Sequence, residues 1–214
     1  MQHRQAPAEP ISPAYRAVMA ILSPVIRRWG RLEVSGLEHL PEHGPLLVVA
    51  NHDSYWDPVV GGEAAIGRRQ IRALAKASLW KVRGLDRILD GMGQIPVARG
   101  AADAGAFERA ITELRGGACV GVFPEGTRSL GRELRARSGL GRLAAAVPQA
   151  RLVCCAIRGT TDIPRFPRRP RLRVDFFAPA GGGLREGEPP AELGTRLLGE
   201  IRAVAPVAAA GRRR

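Results

Sequence analysis

Within Asn51-His52-Asp53-Ser54-Tyr55-Trp56-Asp57-Pro58 an imidazole and a carboxylate stand five residues apart. On one ideal helix that spacing turns them about 140° from each other, so they cannot share a helix face. They can meet if His52 lies on a loop and Asp57 caps the helix that follows, with Pro58 at its first position. An Asp bonded to one imidazole nitrogen fixes the tautomer and leaves the other nitrogen as a base. The plainer alternative is that Asp57 only caps and that His52 is a surface loop residue. A second polar group is Val122-Phe123-Pro124-Glu125-Gly126-Thr127-Arg128-Ser129. Gly126 permits close backbone approach to a ligand, and the planar fork of Arg128 suits a phosphate. Glu125 would hold that arginine or a substrate hydroxyl; an ion pair in an ordinary turn is the alternative. Gly93-Gln94-Ile95-Pro96-Val97-Ala98-Arg99 ends in another candidate anion clamp, and Lys76 ends a further strand-like segment.

Several familiar chemistries lack their residues. There is no G-x-x-x-x-G-K-[S/T] phosphate loop, and Gly91-Met92-Gly93 has Pro96 where a dinucleotide loop needs its third glycine. No G-x-S-x-G nucleophile elbow occurs. The four histidines, His3, His39, His43 and His52, form no metal pattern with the three cysteines, so no metal site is expected. Cys119, Cys154 and Cys155 are odd in number and lack C-x-x-C spacing, which points to small buried residues in a reducing compartment.

The elements that must position these groups alternate along the chain. The continuous apolar run at 46–50 reads as a strand covered on both faces. Further strands are expected at 71–75, 94–98, 118–123, 151–157 and 171–177. Helices are expected after Asp57, at 139–147, at 189–204, and after Asp103. The last of these would have the face Phe107, Ala110, Ile111 and Leu114 and end at Gly116-Gly117. This alternation predicts an α/β fold, a single domain with a mixed, largely parallel sheet flanked by helices. Residues 1–13 read as a loose tail. Residues 14–29 read as an amphipathic helix with Tyr15, Val18, Met19, Leu22, Ile26 and Trp29 on one stripe and Arg16, Arg27 and Arg28 beside it. Such a helix either packs on the domain or lies in a membrane interface.

The 214 residues carry 33 basic against 20 acidic side chains, a formal net charge of +13, and all but Lys76 and Lys81 of the basic ones are arginines. A GC-rich genome accounts for part of that bias, yet the charge still attracts anionic partners: nucleic acid, anionic lipid or phosphorylated substrates. No known nucleic-acid motif is present and aromatics are only 5%, which disfavours the first. No run of 18 apolar residues suggests a spanning helix, and no secretory leader is evident. The segment 163–173, with Arg165, Arg168, Arg169, Arg171 and Arg173, is either a solvated loop or a contact surface for headgroups.

Together these residues resemble the glycerolipid acyltransferase family. Its Asn-His-x-x-x-x-Asp motif corresponds to Asn51, His52 and Asp57. Its Gly-x-Ile-x-Val-x-Arg motif corresponds to Gly93, Ile95, Val97 and Arg99. Its Phe-Pro-Glu-Gly-Thr-Arg-Ser motif is intact from Phe123 to Ser129. A proline usual in the family's fourth motif is replaced, at Cys154, and the basic residue expected after the third is Arg137 rather than lysine. The resemblance implies transfer of a fatty acyl group from a thioester to a glycerolipid hydroxyl, most simply lysophosphatidic acid to phosphatidic acid. His52 would be the general base and Asp57 its orienting partner. Arg99, Glu125, Gly126, Thr127 and Arg128 would bind substrate. It implies no cofactor, with acyl-CoA or acyl-carrier protein as co-substrate. The partners would be a phosphorylated lysolipid acceptor and an anionic membrane surface, and no nucleic acid. Residues 1–30 would form the tail and a membrane-facing helix, residues 31–214 the acyltransferase domain, and the protein would sit on the cytoplasmic face of the membrane. A catalytically silent membrane-binding scaffold is the rival.

Overall fold

A computed structural model describes residues 10–98, 103–167 and 169–208. In chain order the elements are α1 (Pro13–Ser23), β1 (Glu33–Ser35), β2 (Leu46–Ala50), α2 (Asp57–Ala65), β3 (Ile71–Lys76), α3 (Leu85–Gly91) and β4 (Ile95–Val97). There follow α4 (Ala104–Arg115), β5 (Cys119–Val122), α5 (Gly139–Ala146), β6 (Arg151–Arg158), β7 (Arg173–Phe177) and α6 (Pro190–Val204). The strands form one sheet in the order β1-β7-β6-β2-β5-β3-β4, and every pair is parallel except β6 with β7. The expected α/β class and mixed, largely parallel sheet are therefore what the chain forms.

Strand β2 sits in the middle, all five residues buried, because its unbroken apolar run can face helices on both sides. Leu47 and Val49 join Ala110 and Leu114 of α4, Leu140 and Leu143 of α5, and Leu197 and Ile201 of α6 in one core. Leu46, Val48 and Ala50 turn to the other face, toward Val60 and Ala64 of α2. Neighbouring Cys154 and Cys155 split between the same two cores, as alternation on β6 requires. Asp103 caps α4 by accepting from the Ala106 N–H, and Gly117 leaves the helix at a φ of 90°.

The N-terminal helix is part of this body. Residues 10–13, expected in the tail, are tied down: Ser12 caps α1, its N–H donates to Gln70 and its hydroxyl to the Gly91 carbonyl. Residues 1–9 lie outside the described residues. The stripe proposed for a membrane is spent on packing. Tyr15, Met19 and Ile26 are each at most 2% exposed, and Leu22 and Trp29 are half-buried against the α2-side core. Gly62 makes this docking possible, since a Cβ there would sit 2.5 Å from the Tyr15 hydroxyl. Pro24 lacks an N–H, so the α-helical ladder gives way to a π-helical turn, Pro24–Trp29, closed by Gly30 N–H to the Val25 carbonyl. Arg27, its side chain still about half exposed, reaches in to bond buried Glu63. A neighbouring row carries the exposed apolar groups of the segment, Ile21 and Val25.

Strand β1 and helix α3 have no counterpart in the sequence reading. Both are short, and β1 is half-exposed, so neither leaves a long hydrophobic period.

Candidate active site

The parallel strands bring the ends of β2 and β5 side by side, and the two motif loops follow them. Asn51 is fully buried and continues the pairing of β2 with β6 by side chain: its Oδ1 accepts the Ile157 N–H and its Nδ2 donates to the Ile157 carbonyl. The chain then leaves the sheet, and His52 stands at the turn.

His52 and Asp57 meet, with Nδ1 3.0 Å from Oδ2. Their route differs from the one expected. Asp57 is the first residue of α2, not its cap, and its side chain bonds no N–H of that helix. It turns back on the preceding loop. Oδ2 accepts from the N–H groups of Asp53 and Ser54 at 2.6 and 2.7 Å, and Oδ1 accepts from the Thr160 hydroxyl. A buried carboxylate with this many donors is fixed in place, and so is the imidazole on it. One face of the ring stacks on Phe123, centroids 4.3 Å apart. With Nδ1 engaged, Nε2 is the nitrogen left for a substrate proton.

Two cavities meet at this histidine. The smaller, about 290 Å³, runs beneath α4 and α5, walled by Phe107, Ala110, Leu140 and Leu143 with Arg137 and Arg142 at its rim. The larger, about 490 Å³, runs toward α1 and α3, walled by Val18, Leu79, Leu85, Ile88 and Met92. His52, Phe123, Lys76, Leu74 and Ala75 line both. The Phe123–Ser129 motif is divided between them. Gly126, at a φ of 68°, leaves room for Arg137 and borders the smaller cavity. Thr127 and Arg128 border the larger, where Arg128 stacks on Tyr55 with its guanidinium carbon 3.5 Å from the ring centroid.

Glu125 departs from its expected place. It neither holds Arg128 nor faces a cavity. It is buried, with Oε1 bonded to Arg202 and Oε2 accepting the His52 N–H at 2.7 Å. Burial pushes its carboxyl above the ordinary value, and the bonds from Arg202 and His52 offset this only in part. Asp53 goes the other way. Burial works against its charge, but hydrogen bonds from Arg202 and Ser129 hold its carboxyl below the ordinary value. Arg99 lies outside the described residues.

Burial also decides what the cysteines can do. It pushes the Cys154 thiol up to about 12 and the Cys155 thiol well above its ordinary value, so both are protonated packing groups rather than nucleophiles. Among the described residues no three or more His, Cys, Asp or Glu side chains cluster as metal ligands. The sequence reading missed Arg202, Thr160 and the structural task of Asp53. Arg202 is one arginine among many, and Thr160 stands 103 residues from its partner.

Residues 31–165 match the family model described as Acyltransferase. An uncharacterized protein of Mycobacterium tuberculosis is 32% identical over 166 residues, covering 67% of this chain and 43% of that protein. A 1-acyl-sn-glycerol-3-phosphate acyltransferase of Borreliella burgdorferi is 33% identical over 107 residues, 49% of this chain and 42% of the relative. One of Bacillus subtilis is 26% identical over 115 residues, 54% of this chain and 57% of the relative. This chain thus spans less than half the length of the first curated relatives it matches. The crystal structure of the acyltransferase PlsC from Thermotoga maritima shares the fold, with a TM-score of 0.63 and 22% identity over 88% of this chain and 81% of that one.

Proposed function

The chain belongs to the acyltransferase family, and on that premise we propose that it moves a fatty acyl group from a thioester to the hydroxyl of a glycerol-phosphate lipid. The observation that carries this reading is the His52–Asp57 pair at the junction of two largely apolar cavities. Two chain-bearing substrates need two apolar channels and one shared base. Nε2 of His52 takes the hydroxyl proton as the oxygen attacks the thioester carbonyl. The C–O bond forms, the C–S bond breaks, and the proton passes from the imidazolium to the departing thiolate. Asp57 holds the reactive tautomer and stabilises the imidazolium. A positioned base of this kind supplies roughly 10²–10⁴-fold in rate.

Lysophosphatidic acid is the acceptor this reading favours, because Arg128 puts a phosphate-matching fork at the larger cavity. The donor is acyl-CoA or acyl-carrier protein. A panel of lysolipids and glycerol-3-phosphate, offered with one acyl-CoA and read by free thiol and lipid mass, tests the proposal. Thiol release should require a lysolipid and be fastest with lysophosphatidic acid. Absence of acceptor-dependent release with every acceptor would sink it.

Peripheral docking on an anionic, cytoplasmic membrane face belongs to the same reading. No helix among the described residues is long and apolar enough to cross a membrane. The supporting surface differs from the stripe at 14–29. Leu79, Val82 and Ile88 are exposed around the mouth of the larger cavity, beside the exposed cations Lys81, Arg83 and Arg87. Ile21 continues it from α1, one turn beyond Val18 of the cavity wall. Part of the Arg-rich segment is engaged internally instead, Arg165 with Asp162 and Arg173 with Asp175. Changing Ile21 and Val82, which line neither cavity, to Asp should lower sedimentation with anionic vesicles several-fold and leave binding to a soluble short-chain lysolipid unchanged. Unaltered sedimentation would remove this face from the membrane.

A further inference from the structure

The proposed reaction needs a fixed imidazole, and a ring is only as fixed as the peptide that bears it. The His52 peptide is held at both ends. Its N–H donates to Glu125 Oε2 at 2.7 Å, and its carbonyl accepts from the Ser129 N–H at 2.7 Å. Both holders lead to one side chain. Arg202, near the end of α6, donates to both oxygens of Asp53 at 2.9 Å and to Glu125 Oε1. Asp53 in turn accepts from the Ser129 hydroxyl and from Asn51, while its own N–H donates to Asp57. The guanidinium side chain is 14% exposed and its partners are 5% and 0% exposed.

We propose that Arg202 is a positioning residue of the acyl transfer: it clamps the loops after β2 and β5 together, and through Glu125 and Asp53 it sets where the His52 ring stands. The inference rests on the reading of His52 as the base. It goes beyond the region matched to the family, which ends at residue 165. The physical argument is charge as well as geometry. Two buried carboxylates on adjacent loops repel unless a cation lies between them, and a planar guanidinium can serve both at once. Remove it, and the two loops separate or one carboxyl takes a proton; either way the His52 peptide loses its setting. A misplacement of about 1 Å in a catalytic group costs on the order of 10²-fold.

The test uses the full chain with Arg202→Met, Arg202→Lys and the double variant Arg202→Met/Glu125→Gln. Turnover is measured per folded molecule, with lysophosphatidic acid and acyl-CoA. Arg202→Met should lower kcat about 10- to 100-fold while both KM values stay within about twofold. Arg202→Lys, a cation without the fork, should fall between. The double variant should regain part of the loss, because the Gln carbonyl oxygen still accepts the His52 N–H and no charge is left there unpaired. Histidine-labelled protein supplies a second reading, since only four histidines occur. The His52 ring resonances should shift in each Arg202 variant while those of His39 and His43 hold. Folded variants with wild-type kcat and unmoved His52 resonances would overturn the proposal. So would a loss that merely follows the folded fraction, or a double variant no better than the single. If Arg202→Met does not fold, Arg202→Lys carries both measurements. A wild-type chain without acyl transfer would overturn the functional reading instead, and the resonances alone would then decide whether Arg202 positions His52.

Discussion

Helix α6 carries two arginines six residues apart, and each grips a carboxylate with its fork. Arg196 bonds both oxygens of Glu188 at 2.9 Å and the carbonyls of Gly182 and Gly183. Arg202 bonds both oxygens of Asp53 and one of Glu125. The pairings are alike, but they lead to different places. The other partner of Glu188 is the Arg185 N–H, inside the same surface loop. Asp53 and Glu125 pass their grip on to the peptide and the partner of His52. The electrostatics diverge too. The Arg196 hydrogen bonds bring Glu188 down to about 2, whereas burial outweighs the Arg202 bond and leaves Glu125 raised. With His52 as the proposed base, an arginine–carboxylate pair would matter to the reaction through where its carboxylate leads, not through how well the pair is formed.

The comparison presupposes that His52 is worth positioning, and its removal is the change with the largest effect. His52→Ala should cost roughly 10²-fold or more in turnover, with the circular dichroism spectrum and acceptor binding intact. A folded variant with near wild-type turnover would reduce Arg202 to the same structural rank as Arg196. Next in size is Arg196→Met. It should cost on the order of 1 kcal/mol of stability, a melting point lower by a few degrees, because Glu188, 9% exposed, loses its cation but keeps the Arg185 N–H. Its kcat per folded molecule should stay within about twofold; a drop like that of the Arg202 variants would erase the distinction between the two ends of α6. The smallest effect is acid sensitivity. Glu188 has a folded value of about 2 against an ordinary 4.5, so the stability it contributes is complete above the ordinary value and disappears as pH falls toward 2. Arg196→Met should flatten that part of the melting curve against pH. Glu125 carries the opposite sign, since a raised carboxyl makes the folded state lose stability as pH rises past its ordinary value.

Much of this was legible in the residues. The apolar run of β2, the helix capped by Asp103 and the strand bearing Cys154 and Cys155 announce themselves by period and capping chemistry. The spacing of His52 and Asp57 permitted their meeting without requiring it, and the motif resemblance implied it; Asp57 reaches His52 by bending back to its own loop rather than by capping α2. What was not legible depends on partners distant in the chain. The apolar stripe on α1 shows that a face must be covered, and only Gly62 and Met92 in the folded body show what covers it. From the sequence Glu125 is expected to hold Arg128, three residues away, or a substrate hydroxyl; its partner is Arg202, 77 residues away. Local spacing favours the near arginine; burial selects the far one.

The separation of Arg202 from Asp53, 149 residues, also makes the order of assembly matter. Among the described residues all seven strands end by Phe177, so both motif loops precede α6 in the chain. Until α6 follows, Asp53 and Glu125 stand on adjacent loops without a counter-charge. A chain without α6 would thus have an unset histidine as well as a sheet face that Leu193, Leu197 and Ile201 no longer cover. In hydrogen exchange the His52 and Ser129 amides should gain protection together with α6, later than the strands they follow.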